Sequence, residues 1–156
     1  MNDPRISRVI MILTYVAGGV GLGIGYATIN ESPPSLTVCV LLAVGVSGFL
    51  SFLRHSVFNR SDAVRMKWDM GKRNNFQVET GIANLAWAIL AFFAVALDWG
   101  IRAEAASLLV FGFYLDVVAL MLIVSPGENR RSWVNIAIMA AYSIAMTVLG
   151  FQGMAA

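Results

Sequence analysis

The chain has 156 residues, of which 58% are hydrophobic and only 13% are charged. Because a soluble domain of ordinary composition carries about 25% charged residues, these values predict an integral membrane protein that does not bind nucleic acid. The formal net charge is +2, so the distribution of charge is more informative than its sum. A single cysteine, Cys39, excludes an internal disulfide and a paired-thiolate metal site.

Five apolar runs of about 20 residues predict membrane-spanning helices. They cover residues 9–29, 35–53, 78–97, 104–124 and 133–151. We therefore predict one transmembrane domain over residues 1–156, an all-α polytopic helical bundle with five spans and a basic cytoplasmic loop over 54–77. The first run is interpreted as a true span, because its apolar core is longer than that of a signal peptide and no clear A-x-A site follows it.

The basic residues are divided very unevenly between the two sides of this topology. Of the 11 lysine and arginine residues, Arg102 alone falls on one side and the rest fall on the other. Since cytoplasmic loops are enriched in lysine and arginine, the N-terminus is predicted in the cytoplasm and the C-terminus outside. This orientation predicts a multi-pass protein of the cell (inner) membrane.

The first predicted span contains two overlapping GxxxG pairs, Gly19/Gly23 and Gly21/Gly25. In lipid, small residues at this spacing let two helix backbones approach closely. We expect this span to cross another helix, either in the same chain or in a partner. A homo-oligomer or a complex with another membrane protein is therefore predicted.

The basic loop mixes charged with apolar residues, which is typical of a segment that lies on anionic lipid headgroups. Ser61 and Asp62 are candidates to cap a short helix within it. The alternative is that these charges only fix the topology, and both roles are compatible. The residues predicted to face headgroups are Arg60, Arg65, Lys67, Lys72 and Arg73.

His55, the single histidine, follows the second span. One interpretation is a solvated interfacial imidazole; the other is a single ligand that joins Glu79 and Asp116 around an ion. No zinc-type, P-loop, GxSxG or dinucleotide-binding signature is present. We therefore predict no metal, no cofactor and no catalytic residue.

The third and fourth spans carry polar residues that are expensive to place in lipid. Gln77, Glu79 and Asn84 lie at the start of the third span, and Asp116 lies inside the fourth. An acid within a membrane helix is by default a functional-site hypothesis, so these residues and His55 are candidates for a ligand or ion site. The alternatives are a structural network joining Asp116 to Tyr142, Asn135 or Asn84, an interfacial role for Glu79, and helix packing for Asn84.

The stretch FQVETGIANL, residues 76–85, together with His55, Trp68 and the turn at 125–129, resembles a family of small bacterial and archaeal membrane proteins catalogued only as a domain of unknown function. The resemblance covers about residues 47–145 and points to His55, Gln77, Glu79 and Asn84. The sequence departs from the pattern at Asn74–Asn75 and at Leu115–Asp116, where the family has a Gly-His pair. A site built from two histidines and a glutamate would lack one histidine here.

Three classes of function are consistent with these residues. The small size, the glycine pairs and the absence of catalytic motifs favour an accessory or scaffold subunit that associates with itself or with a larger membrane complex. The alternative is a small transporter or channel-like protein with an intramembrane acidic site. The second alternative is a membrane enzyme that acts on a lipid or a quinone.

Overall fold

The computed structural model describes residues 3–67, 74–124 and 133–156, and these contain six helices and no strand. The helices are α1 (Pro4–Thr28), α2 (Thr37–Val57), α3 (Asn59–Met66), α4 (Asn75–Ala96), α5 (Ile101–Val124) and α6 (Trp133–Ala155). Every helix except α3 is long and apolar enough to cross a membrane. The predicted polytopic bundle with five spans is confirmed.

Short-range signals explain where several helices begin and end. The Asp3 carboxylate accepts a hydrogen bond of 2.9 Å from the Arg5 amide, and Pro4 occupies the first helical position of α1. The Asn74 side chain caps α4 by accepting from the Gln77 amide at 3.3 Å. Gly100, with φ of 84°, makes the tight connection between α4 and α5.

The second helix extends beyond its predicted end. Its apolar run stops near residue 53, but α2 continues to Val57 and so takes Arg54 and His55 out of the predicted loop. The backbone widens to π-helical geometry over Leu53–Val57, and the Phe58 amide donates to the Leu53 carbonyl at 2.8 Å. Such wide turns occur often at functional sites because they redirect side chains.

The core of the bundle lies around α2, which is the most buried of the five spans. Helices α5 and α6 form an extensively packed antiparallel hairpin beside it. The fully buried large side chains of this core are Leu36, Val40, Val44, Leu108, Met146 and Leu149. Large apolar side chains such as Val117 and Phe151 point outward, as expected for a surface that contacts lipid.

The two glycine pairs of α1 face different surroundings. A Cβ added to Gly21 would lie 2.8 Å from the Leu42 Cβ, and one added to Gly25 would lie 2.8 Å from the Cys39 Cβ. Gly21 and Gly25 therefore form the close crossing of α1 with α2. A Cβ added to Gly19 or Gly23 would meet nothing within 4 Å, because that pair lies on the outer face of α1.

A second close crossing joins α2 to α4. A Cβ on Gly48 would lie 2.8 Å from the Asn84 carbonyl oxygen, and a Cβ on Gly81 would overlap the Ser56 hydroxyl. That hydroxyl donates to the Val78 carbonyl at 3.0 Å. The crossing brings the first turns of α4 beside the last turn of α2. The first turns of α1, which contact α3 through Ser7, lie at the same end of the bundle. We call this end, which holds Arg54 and Arg65, the basic end.

Candidate ligand-binding site

The carboxylate of Asp62, which is fully buried in α3, is the centre of a group of polar side chains at the basic end. It accepts a hydrogen bond of 2.5 Å from the Ser7 hydroxyl and one of 3.1 Å from the side-chain amide nitrogen of Gln77. Its Oδ1 lies 2.8 Å from the Arg65 Nη2, and its Oδ2 lies 2.9 Å from the His55 Nδ1. The polar cluster comprises Ser7, Arg54, His55, Asp62, Arg65 and Gln77.

Asp62 is ionised in this setting. Burial alone would raise the pKa of its carboxyl group, but the hydrogen bond from His55 and the positive charge of Arg54 act in the opposite direction. The Ser7 hydrogen bond adds to them, and together these contacts hold the pKa of Asp62 well below its usual range. The carboxylate therefore serves as a fixed negative charge around which the cluster is organised.

The partners of His55 define its tautomer. One guanidinium nitrogen of Arg54 lies 2.8 Å from the His55 Nε2. Because a guanidinium has no acceptor, Nε2 must accept and the ring proton must lie on Nδ1, facing Asp62. His55 thus links Arg54 to Asp62.

The cluster is held together from the opposite side by α1. The Ser7 amide donates to the Ser61 hydroxyl at 3.0 Å, and that hydroxyl donates to the Asp3 carbonyl at 2.5 Å. Arg65 Nε donates to the Ser7 hydroxyl at 2.9 Å. Ser61 and Asp62 therefore do not cap α3, which begins two residues earlier at Asn59; they bind α1 instead.

A partly open cavity of about 360 Å³ adjoins the cluster between α2, α4, α5 and α6. Its polar lining residues come from α2 and from the start of α4: Ser51, Arg54, His55, Asn74, Gln77, Thr80 and Asn84. Its apolar and aromatic lining residues come mainly from α5: Phe76, Tyr114, Leu115, Val118, Met121, Leu122 and Met139. Phe76 and Met121 are exposed, so they mark an apolar rim.

A smaller cavity of about 70 Å³ lies on the other side of Arg54. Its lining includes Met11, Tyr15 and Arg65, and it shares Arg54 and Met139 with the larger cavity. Arg54 thus stands between the two cavities, and its side chain is only 16% exposed.

Only some of the residues predicted to form a site lie together in the structure. His55, Gln77 and Asn84 line the larger cavity, and the Asn84 amide donates to the Thr80 carbonyl at 2.7 Å. Glu79 is exposed on α4 and is not a lining residue. Asp116 is not a lining residue either; its carboxylate accepts a hydrogen bond of 2.8 Å from the Thr147 hydroxyl on α6.

The sequence interpretation named three partners for Asp116, and the structure gives Thr147 instead. Tyr142 is turned away and donates to the Ala43 carbonyl at 2.8 Å. Sequence reasoning missed Thr147 because several polar residues of the other spans could reach Asp116, and nothing in the sequence selects one of them. The rotation of α6 about its own axis selects among them.

The predicted headgroup residues also differ in their placement. Arg65 faces inward onto Asp62 with its side chain 13% exposed, because pairing with a buried carboxylate outweighs hydration at this position. Arg60 lies on α3 and Lys67 ends it with a left-handed backbone. Lys72, Arg73, Trp68 and the turn at 125–129 lie outside the described residues.

Sequence reasoning missed the central residue of the cluster and its main partners, Asp62, Arg54 and Ser7. One signal was available: Asp62 stands among arginines in the predicted loop, and an acid in that setting favours an ion pair. Glu104 was missed as well. It is buried near the opposite end of the bundle and accepts a hydrogen bond of 2.9 Å from the Thr37 hydroxyl.

Within the described ranges, no group of three histidine, cysteine, aspartate or glutamate side chains could hold a metal ion. The chain belongs to a family of unknown function, DUF6790, whose model matches residues 7–155. Neither a curated protein nor a solved structure matches it.

Proposed function

We propose that this multi-pass membrane protein binds one amphiphilic small molecule in the larger cavity at its basic end. The observation that carries the proposal is the division of the cavity lining. The hydrogen-bonding side chains of the lining come mostly from α2 and α4, and most of its apolar side chains come from α5, which also contributes Tyr114. Small-molecule sites are typically concave and largely apolar, with a few polar groups that fix the orientation of the ligand.

The size and the rim of the cavity favour a ligand that is only partly enclosed. A volume of about 360 Å³ is at the lower end of the range of small-molecule sites, about 300–1,000 Å³. It would hold a polar head and the first part of an aliphatic tail. The exposed apolar rim at Phe76 and Met121 would let the remaining tail continue into lipid.

The proposal develops the prediction of a protein that acts on a lipid or a quinone, without requiring a reaction. The alternative interpretation as a transporter with an acidic site depended on Asp116 and Glu79, and neither residue lines the cavity. The polar lining consists of hydroxyl and amide groups, one imidazole and one guanidinium, which are groups suited to binding and orienting a polar head.

A cavity-filling substitution tests the proposal. Val118 lines the cavity, whereas its neighbour Val117 points outward and is 65% exposed. We expect Val118→Trp to lose a co-purifying amphiphile and Val117→Trp to retain it. The measurement is mass spectrometry of small molecules extracted from protein purified in mild detergent, normalised to the amount of protein. Equal retention by both variants would place the molecule outside this cavity and refute the proposal.

An accessory or scaffold role has a separate supporting observation and is compatible with ligand binding. The Gly19/Gly23 pair lies on the outer face of α1 with open space beside it. Because α1 is also the least buried of the five spans, we propose it as the surface for a second copy or for another membrane protein.

Lateral association can be tested by the size of the detergent-extracted complex. Gly19→Leu with Gly23→Leu should reduce the complex to a monomer, since bulky side chains prevent close approach of the backbones. The matched control is Ala137→Leu, which enlarges an exposed small residue on α6. An unchanged complex in the double-leucine variant would exclude this face of α1 from the contact.

A further inference from the structure

We infer that the head of the bound amphiphile is an oxyanion, a phosphate or a carboxylate, and that Arg54 binds it. The inference rests on the proposed function and adds the chemical class of the ligand. Its basis is an imbalance of charge and of hydrogen bonding within the polar cluster.

The charges of the cluster do not balance. Its two guanidinium groups, Arg54 and Arg65, share the single carboxylate of Asp62. His55 adds no negative charge; its Nε2 faces Arg54 and its Nδ1 faces Asp62. The cluster therefore carries at least one positive charge in excess.

The excess charge belongs to Arg54 rather than to Arg65. Arg65 lies 2.8 Å from the Asp62 carboxylate and also donates to the Ser7 hydroxyl. The Nε atom of Arg54 lies 3.9 Å from the same carboxylate, beyond hydrogen-bond distance. That Nε is fully buried and has no hydrogen-bond acceptor among the described residues.

A buried donor without an acceptor and a buried charge without a full counter-charge are both unfavourable. An oxyanion in the adjoining cavity, which Arg54 lines, would supply the missing counter-charge. The planar guanidinium is suited to this role because it binds phosphate and carboxylate groups through two parallel hydrogen bonds. A neutral head, such as a quinone ring, would leave the excess charge uncompensated.

The remaining lining fits the rest of such a molecule. The Ser51 and Thr80 hydroxyls and the Asn84 amide supply uncharged polar groups to the cavity that Arg54 lines. Leu115, Val118 and Leu122 of α5 supply apolar lining to the same cavity. An anionic head at Arg54 would contact the polar lining residues, and an aliphatic chain along α5 would contact the apolar ones.

The test uses the purified full chain in a neutral detergent and probes that share one oleoyl chain. The probes are oleate, oleoyl lysophosphatidic acid and the neutral monoolein, with inorganic phosphate as an anion that has no tail. Native mass spectrometry across a concentration series gives the bound fraction of each. We expect oleate or lysophosphatidic acid to bind at least about tenfold more tightly than monoolein, the effect of one charge-assisted hydrogen bond or more.

Arg54→Gln should lower the affinity for the anionic probe to that of monoolein. Arg8→Gln removes the same charge from an exposed position of α1 and should leave binding unchanged. Should Arg54→Gln fail to yield a folded protein, Arg54→Lys retains the charge without the planar fork and should bind the anionic probe less tightly than the wild type.

The outcomes separate this inference from the proposed function. If monoolein binds as tightly as the anionic probes and Val118→Trp abolishes all binding, the cavity is an amphiphile site and the anionic head is refuted. If Val118→Trp changes none of the affinities, both proposals fail. Tight binding of inorganic phosphate that Arg54→Gln abolishes, without added affinity from a tail, would identify a free-anion site and overturn the amphiphile. A preference for oleate or for lysophosphatidic acid supports the inference and distinguishes carboxylate from phosphate.

Discussion

Asp62 at the basic end and Asp116 inside α5 are both acids of a membrane protein, and they are used in opposite ways. Asp62 is fully buried and contacts groups from α1, α2, α3 and α4. Asp116 is half-buried and contacts a single hydroxyl, that of Thr147 on the neighbouring helix. An acid of the predicted loop is thus the centre of a polar cluster at the basic end, whereas the acid of an apolar run joins only two helices.

The comparison shows that the position of an acid within an apolar run does not indicate how much that acid contributes to the stability of the fold. A carboxyl group in lipid is tolerated with one hydrogen bond when it is protonated or reaches water. A carboxylate that two guanidiniums share is needed by both of them, and its removal leaves buried charge behind. Substitutions at the two ends of this comparison should therefore differ by several-fold in their effect on stability.

The largest effect is expected from Asp62→Asn. Removing one partner from a buried ion pair typically destabilises a protein by about 3–5 kcal/mol, and here two arginines would be left without their carboxylate. Thermal unfolding in detergent measures the loss. Asp98→Asn is the control, because Asp98 is exposed and asparagine tolerates its positive φ of 49°. An Asp62→Asn protein as stable as this control would remove Asp62 from the centre of the cluster.

Acidification should produce part of the same loss. The folded-state pKa of Asp62 lies below its value of about 3.9 in an unfolded chain. Its ionised form therefore stabilises the fold fully above about pH 4, and this contribution is lost as the pH falls below that value. The free energy of unfolding, measured between pH 7 and pH 3, should fall with decreasing pH, and it should fall less steeply in Asp62→Asn than in the wild type. Identical slopes would contradict the depressed pKa.

An intermediate effect is expected at the crossing that positions the cluster. Gly81→Ala would push a methyl group into the Ser56 hydroxyl, and overpacking of this kind costs about 1–3 kcal/mol. Gly23→Ala, which meets open space, should be close to neutral. Because the nearest atom is the Ser56 hydroxyl, Ser56→Ala in the Gly81→Ala background should restore part of the stability. Absence of any rescue would assign the strain to the α2 backbone.

The smallest effect is expected from Asp116→Asn. Interhelical hydrogen bonds in membrane proteins average about 0.6 kcal/mol in double-mutant cycles. A cycle of Asp116→Asn with Thr147→Val should give a coupling of that order, measured as the change in free energy of unfolding. A coupling energy as large as the destabilisation caused by Asp62→Asn would contradict the conclusion that Asp62 contributes more to stability than Asp116.

Much of the fold was predictable because it depends on local composition. The apolar run at 104–124 predicted α5 to within three residues at its start, and the run at 133–151 predicted the start of α6. The end of α2 was harder, because a hydropathy pattern stops at the first charge. The helix itself continues through Arg54 and His55, whose charge and polarity are matched by Asp62.

The candidate site was predictable only in part. The polar stretch at the start of α4 correctly drew attention to Gln77 and Asn84, both of which are buried lining residues of the cavity. Glu79 belongs to the same stretch but lies on the exposed side of the helix. The sequence places Arg54 and Asp62 in a basic loop, because an acid among arginines indicates an ion pair but not whether that pair is buried.

The sequence by itself determined that this chain is a membrane protein with five apolar helices, since transfer of a segment into lipid depends on the side chains of that segment alone. Only the tertiary structure decided which polar groups meet. Ser7 and Asp62 are 55 residues apart in the chain, yet their side chains are hydrogen-bonded. Likewise, Gly21 packs against α2 while Gly19, two residues away, faces outward. Such pairings follow from the rotation of each helix about its axis and from where the helices cross, which no single segment specifies.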